Sequence, residues 1–244
     1  MTLRVPGGLC WGLLIFSGAA CAEDDFALSV GPGIYAGPSF PGSRHERRLI
    51  FPFIDAEYAG RVYTSANDLI GVYAYKTTNT QLGAAVEYDL TQRRVPGLPD
   101  VKETPRFKLF GSQTVSALTA DANVARDIGG HGEGTLAQAN LWVTVPFDSS
   151  FSLSVGPGVT WADSQYMQRL YAITAAEGTF PVFVTRAGVA DVHLNGLAEW
   201  VIHSKYRIGA QAWLWHLRGD AAASPLAVQH AQTTVVGWLA YRFN

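Results

Sequence analysis

Residues 151–162 read FSLSVGPGVTWA, and their side chains alternate between two kinds. The apolar positions are Phe151, Leu153, Val155, Pro157, Val159 and Trp161. The positions between them are small or polar, namely Ser152, Ser154, Gly156, Gly158, Thr160 and Ala162. Successive side chains of a β-strand point to opposite faces. The segment therefore predicts a strand with one apolar face and one small, polar face.

The same alternation recurs in residues 82–90, 137–147 and 235–243. Strands of about 9–11 residues with one apolar face are typical of transmembrane β-barrels. A soluble β-sandwich is the alternative, because its strands also alternate. The period-2 pattern favours the barrel.

We predict an all-β fold, a transmembrane antiparallel β-barrel of about 12 strands, with 10 strands as the alternative. The predicted strands are 26–36, 48–58, 61–66, 69–76, 81–90, 105–114, 116–126, 135–147, 151–161, 189–203, 205–217 and 231–243. We expect the first and last strands to pair, because an open edge would leave backbone groups unpaired in hydrocarbon. An even strand number then puts both chain ends on the periplasmic side. The helix-like spacing within 163–177 predicts a helix, which we expect on the surface rather than in the lumen.

The N-terminus resembles a secretory signal peptide. Arg4 precedes the apolar stretch 9–16, and Ala20-Cys21-Ala22 offers a cleavage site. The sequence therefore predicts a signal peptide over 1–22 and an outer-membrane β-barrel over 23–244. A lipoprotein signal with Cys21 lipidated is the alternative, although Gly18 stands where a bulky aliphatic residue is expected.

Composition agrees with export. Both cysteines, Cys10 and Cys21, lie in the predicted signal, so the mature chain has no disulfide framework and no cysteine-based site. The formal net charge of −2 argues against a nucleic-acid partner. The chain is 48% hydrophobic, yet no run of about 18 uncharged apolar residues follows the signal. That apolar content must then enter a core or face lipid.

Motifs for catalysis or metal binding are scarce. The six histidines show no HExxH spacing, and no G-x-S-x-G motif is present. His203 and Ser204 are adjacent, so on a strand they would face opposite sides and could not pair. We therefore expect no catalytic, metal-binding or cofactor-binding residues, and no enzyme.

Charged and amide side chains fall mostly on the polar faces of the predicted strands. If the apolar faces meet lipid, these residues point into the lumen, where charges can pair or line a water path. The candidate lumen-facing residues are Glu87, Asp89, Lys108, Gln138, Asn140, Glu199, Lys205, Arg207, Gln211 and Arg242. Trp142, Trp213, Trp215 and Trp238 fall on the same inward faces, which implies a bulky lumen filling or a register error. A narrow or occluded pore is favoured over a general diffusion channel.

The chain also resembles the MipA/OmpV family of Gram-negative outer-membrane proteins, over about residues 26–243. The resemblance rests on the order of several segments: Gly31, Gly33 and Tyr35; LIFPFIDAEY (49–58); LGA (82–84) with EYD (87–89); GGHGEG (129–134); GP (156–157) with TWADSQYM (160–167); GDAAASP (219–225); and YRF (241–243).

The resemblance implies an outer-membrane barrel without a cofactor. It implies outer-membrane lipid and the barrel-assembly machinery as partners, with Tyr241 and Phe243 as the assembly signal. The named family member further implies a scaffold that links a murein transglycosylase to a murein synthase in cell-wall turnover. A narrow solute channel and a surface adhesin are the alternatives. Asn244 departs slightly from the pattern, since such barrels usually end on the aromatic residue.

Overall fold

The computed structural model describes residues 26–174 and 180–243. The predicted signal peptide, Cys21 and Asn244 lie outside these residues. The described chain forms the strands β1 (Phe26–Pro38), β2 (Glu46–Tyr58), β3 (Val62–Thr64), β4 (Asp68–Lys76), β5 (Thr80–Asp89), β6 (Thr104–Val115), β7 (Leu118–Asp127), β8 (Thr135–Pro146), β9 (Phe151–Ala162), β10 (Gly188–Ile202), β11 (Tyr206–Leu217) and β12 (Ala231–Phe243). It also forms the helices α1 (Ser164–Tyr171) and α2 (Gly219–Ala223). Neither of these helices is long and apolar enough to cross a bilayer.

The strands close into a single antiparallel barrel. Each strand pairs with its neighbour in sequence, and β1 pairs with β12 to complete the ring. In that closing pair, Val30 lies opposite Tyr241 and Ala36 opposite Val235. The predictions of a 12-stranded barrel and of pairing between the first and last strands are confirmed.

The two ends of the barrel differ in the length of their connections. Tight turns join β2 to β3, β4 to β5, β6 to β7, β8 to β9 and β10 to β11. At Ala59-Gly60 and at His203-Ser204 two consecutive residues have positive φ, the geometry that matches the twist of a two-residue hairpin. Longer connections, which include α1 and α2, lie at the other end. We call these the short-turn end and the loop end; residues 26 and 243 lie at the short-turn end.

The outer wall is apolar between the ends. In β9, Leu153 is 38% exposed and Val155 is 43% exposed, whereas Ser152 and Ser154 are buried. Exposed aromatic side chains border this belt at both ends. Tyr58, Phe147, Trp200, Tyr206 and Phe243 lie near the short-turn end, and Tyr88, Phe107 and Trp161 lie nearer the loop end. An apolar band with aromatic borders is the lipid-facing surface of a membrane barrel.

The structure differs from three local expectations. The strand predicted over 61–66 is only Val62–Thr64, because the Ser65 hydroxyl accepts the backbone N–H groups of Asn67 and Asp68 and turns the chain. Lys205 does not enter the lumen, because the turn after β10 takes up 203–205 and leaves its side chain exposed.

The third expectation concerned a surface helix within 163–177. The helix is present, and Asp163 caps it by accepting the N–H of Tyr166 at 2.8 Å. Its apolar residues Tyr166, Met167, Leu170 and Tyr171 are nevertheless buried at the loop end. The helix therefore packs inward across that end of the barrel.

The repeated segment SVGPG, at 29–33 and 154–158, marks the same irregularity in two strands. The β1–β12 ladder is interrupted between Val30 and Gly33, and the β8–β9 ladder is interrupted between Val155 and Gly158. Proline supplies no N–H to a ladder. At both sites the glycine backbone lies against the carbonyl oxygen of the neighbouring strand, Leu239 for Gly31 and Leu141 for Gly156.

Candidate functional site: the lumen and its cap

Two cations form a cluster in the half of the lumen nearer the loop end. Lys108 contacts the carboxylates of Asp68 and Glu87, the latter at 3.3 Å. Arg106, two residues along the same face of β6, contacts Asp89 and also Glu133 at 3.4 Å. A buried charge is tolerated when it is paired and hydrogen-bonded. Of the predicted lumen residues, the structure brings Glu87, Asp89 and Lys108 together here.

A second cluster lies nearer the short-turn end. The Arg207 guanidinium donates to Asp55 at 2.9 Å and to Glu199 at 3.0 Å. All three side chains are buried. One guanidinium thus ties β11 to β10 and, across the lumen, to β2.

Aromatic side chains fill the lumen between the two clusters. Phe53 and Trp238 stack with ring centroids 5.3 Å apart and nearly parallel planes. Tyr63, Tyr73 and Phe110 form a second group with centroids 4.6–6.1 Å apart. Trp142 is buried beside the first group, and its indole N–H donates to Asp121. The inward tryptophans are therefore a bulky filling, and the strand register inferred from the sequence holds.

The loop end is covered by a hydrophobic cap. The buried residues of α1 pack with Phe40, Val101, Leu217, Ala221 and Ala227, which come from four other parts of the chain. Tyr166 faces the lumen, where the Arg106 guanidinium lies 5.4 Å from its ring centroid. Outside the strands, burial and the nearby Asp89 carboxylate raise the pKa of Glu133 to about 7.

Between the cap and the aromatic filling lies a cavity of about 490 Å³. The predicted residues Gln138, Asn140 and Gln211 line it, together with Trp213 and Trp215. Asn140 accepts from the His193 ring at 2.9 Å and donates to Asp121 at 2.8 Å. The cavity thus combines amide groups with indole faces.

The remaining predicted residues lie on β12. Arg242 is half-buried at the short-turn end, where its backbone N–H donates to the Lys205 carbonyl at 2.7 Å. Tyr241 contacts Phe243 and Tyr206 edge-on, with centroids 4.9 and 5.4 Å apart. These three rings belong to the aromatic border of the outer wall.

Sequence reasoning missed Asp55, Asp68, Arg106, Asp121 and Glu133. Arg106 has the same strand parity as Lys108, so the alternation could have found it. Glu133 sits in a glycine-rich loop and gave no signal. Among residues 26–174 and 180–243, no group of three His, Cys, Asp or Glu side chains is placed to hold a metal ion.

The family model described as MltA-interacting protein MipA matches residues 30–243. The chain belongs to the MipA family. Membership in the MipA family, the closed barrel and its apolar belt place the protein in the outer membrane of a Gram-negative bacterium. The family's description names an interaction and indicates no enzymatic activity. No curated protein gave a significant match.

Solved outer-membrane barrels are also similar to this MipA-family chain. The translocator domain of the autotransporter NalP from Neisseria meningitidis is 11% identical, with a TM-score of 0.49 over 91% of this chain and 90% of that one. An outer membrane channel from Pseudomonas putida F1 is 10% identical, with a TM-score of 0.44 over 94% of this chain and all of that one.

Proposed function

We propose that the protein is a sealed outer-membrane scaffold that holds a murein transglycosylase beside a murein synthase, and that it is not itself an enzyme. Residues 1–22 act as the export signal in this proposal, and the barrel-assembly machinery inserts the mature chain. The short-turn end faces the periplasm, as in barrels whose short turns are periplasmic. The murein enzymes then bind at that end.

The observation that carries the proposal is the filled lumen. The cap, the Lys108–Arg106 cluster, the stacked Phe53 and Trp238, and the Arg207 cluster succeed one another along the barrel axis. A diffusion channel needs a continuous water path, and large side chains in paired contacts oppose one. A barrel filled in this way supports binding on its outside surfaces better than conduction through its centre.

The family description supports the choice of partner. It names an interaction with MltA, which the resemblance identifies as a murein transglycosylase. The substrate of such an enzyme is in the periplasm, so the contact must be made from the short-turn end. Exposed turn residues such as Ser116, Asp148 and His203 are available there.

Site-specific photo-crosslinking in growing cells tests the proposal. A photoreactive amino acid is placed at Ser116, Asp148 or His203, and at Arg44 and His45 in the β1–β2 loop as the matched control. We expect adducts with a murein transglycosylase and a murein synthase from the turn positions and none from the loop positions. Absence of both enzymes from all turn adducts, in protein that is folded in the outer membrane, would contradict the scaffold role.

A further inference from the structure

The barrel wall has a seam between β2 and β5. β2 spans Glu46–Tyr58 but pairs with β3 only over Ala56–Tyr58. The β3–β4 hairpin turns at 65–67; just before the turn Thr64 lies opposite Ala56 of β2, and just after it Asp68 lies opposite Glu87 of β5. Above that turn, within the described chain, no strand pairs with Glu46–Asp55 on the side opposite β1. We define the seam as the gap bounded by Leu49–Phe53, the turn 65–67, and Glu87–Leu90.

Few contacts bridge the seam near the loop end. The Arg47 guanidinium donates to the Leu90 carbonyl at 2.7 Å and contacts the Glu103 carboxylate. The backbone N–H of Gln92 donates to the carbonyl of Ser39 at 2.7 Å. Side-chain bonds at a partly exposed site are weaker constraints than a continuous ladder. Above the β3–β4 turn, this part of the wall is therefore held by side-chain contacts and one loop hydrogen bond, and not by a continuous backbone ladder.

The lumen cavity borders this seam. Glu87 and Tyr88 are consecutive on β5, so their side chains point to opposite faces of the wall. Tyr88 is 44% exposed on the outer face, and its neighbour Glu87 points inward. The cavity is bordered by Leu49 and Phe51 on one side of the seam and by Glu87, Tyr88 and Leu90 on the other.

The lining of the cavity is mixed in chemistry. Its apolar and aromatic residues include Leu49, Phe51, Tyr88 and Leu90, which belong to the segments that bound the seam. The lining also presents the amides of Gln138, Asn140 and Gln211 and the indoles of Trp213 and Trp215. Such a mixed lining suits a molecule with an apolar chain and a polar head.

The charged residues that line the cavity determine which polar head group a bound molecule can carry. Lys108 and Arg106 line the cavity, but each already contacts two carboxylates. Asp121 accepts hydrogen bonds from Asn140 and Trp142. An anionic head would meet cations that are already neutralised and carboxylates that repel it. An uncharged head with hydroxyl groups can instead bond to the amides without displacing an ion pair.

We propose that the seam is a lateral entrance through which a single-chain, uncharged amphiphile enters from the bilayer. The hydroxylated head occupies the inner cavity, and the chain lies across Leu49, Phe51 and Tyr88 toward the membrane. The contacts of Arg47 with the Leu90 carbonyl and the Glu103 carboxylate hold the two sides of the entrance together near the loop end. This site is separate from the short-turn end and does not depend on the scaffold role.

Native mass spectrometry of the full protein, purified from outer membranes and placed in nanodiscs, tests the proposal. The probes are a monoacylglycerol and the fatty acid of the same chain length. We expect one monoacylglycerol retained per barrel, at least ten-fold more than fatty acid. Equal retention of the two probes would overturn the assigned head chemistry, and absence of monoacylglycerol would overturn the site.

A pair of variants locates the site at the seam. Ala66→Trp fills the turn at the lower edge of the seam, whereas Ala74→Trp adds the same side chain to the exposed face of β4 as the matched control. We expect Ala66→Trp to reduce monoacylglycerol retention at least ten-fold and Ala74→Trp to leave it unchanged. Equal retention by both variants would contradict entry through the seam.

Crosslinking with a photoreactive monoacylglycerol tests the site in the unmodified protein, so the result does not depend on whether a variant folds. Adducts mapped to 47–53 and 87–91 of the unmodified protein are expected. Adducts spread over the outer faces of β6 to β12 would show ordinary lipid contact and would overturn the proposal.

Discussion

At the scale of single residues, each SVGPG segment contains a glycine at a position where no larger residue fits. A Cβ on Gly156 would overlap the carbonyl oxygen of Leu141, and one on Gly31 would overlap that of Leu239. Gly196 lies inside β10, where a Cβ would meet nothing within 4 Å. We expect Gly156→Ala to destabilise the barrel by about 1–3 kcal/mol, because the strands must move apart.

Urea unfolding in detergent measures this effect. Gly196→Ala is the matched control and should leave the free energy of unfolding nearly unchanged. If Gly156→Ala and Gly196→Ala unfold at the same urea concentration, the close approach of β8 and β9 at this point does not exist in solution.

The outer and inner faces of β8 provide a second test at the residue scale. Val143 is exposed on the apolar belt, and Gln138 lines the lumen cavity. Val143→Arg should cost about 2–4 kcal/mol because the charge faces hydrocarbon. Gln138→Arg should cost less, because the cavity has room and the carboxylate of Asp121 also lines it.

The fraction of folded protein, measured by heat-modifiable migration in gels, compares the two variants. Thr144 and Ser154 are unsuitable as inner controls, because their hydroxyls bond to each other at 2.8 Å in a buried position. Equal loss of folded protein in the Val143 and Gln138 variants would remove the basis for calling one face lipid-exposed.

At the scale of elements, the cap is expected to respond to pH through Glu133. Burial and Asp89 raise the pKa of this carboxyl to about 7, while Arg106 opposes the shift. The unfolded chain therefore releases this proton at lower pH than the folded chain. Stability falls as pH rises from about 4.5 to about 7, by at most about 3 kcal/mol, and then levels off.

Thermal unfolding of the refolded protein between pH 4 and 8 measures this slope. Glu133→Gln stays uncharged throughout and should flatten it. A variant with the same slope as the parent would show that groups other than Glu133 control the pH dependence.

The closing strand is the element on which assembly depends. β12 pairs with both β1 and β11, so removing its last residues opens the ring. Deleting 241–244 should leave export and signal cleavage intact and leave unfolded protein in the periplasm. Deleting Asn244 alone should have little effect. A 241–244 deletion that still inserts and migrates as a heat-modifiable barrel would refute the closing role of Tyr241 and Phe243.

Element by element, the alternation in sequence predicted much of this structure and left specific parts open. It predicted the strand faces of β8, β9 and β12 and the inward direction of Lys108 and Arg207. It could not predict that Asp55 meets Arg207, because these residues are 152 positions apart and meet only when the ring closes in one register. It also could not predict the burial of α1, because helical spacing shows an apolar face and not what covers that face.

At the scale of the whole molecule, the structure is a membrane wall whose interior is mostly occupied. The apolar belt holds the barrel in lipid, and the filled lumen leaves the two ends and the seam as the surfaces for interaction. A scaffold at the short-turn end and an amphiphile at the seam use different parts of the wall, so either can be tested without the other.

Planar-bilayer conductance tests the central claim most directly. Protein purified from outer membranes is added to a lipid bilayer, and a general diffusion porin inserted in the same membrane serves as the positive control. The sealed lumen predicts no stepwise currents from this protein under conditions in which the porin conducts. Stable, stepwise currents from heat-modifiable, correctly folded protein would show a continuous water path and contradict the sealed-scaffold account.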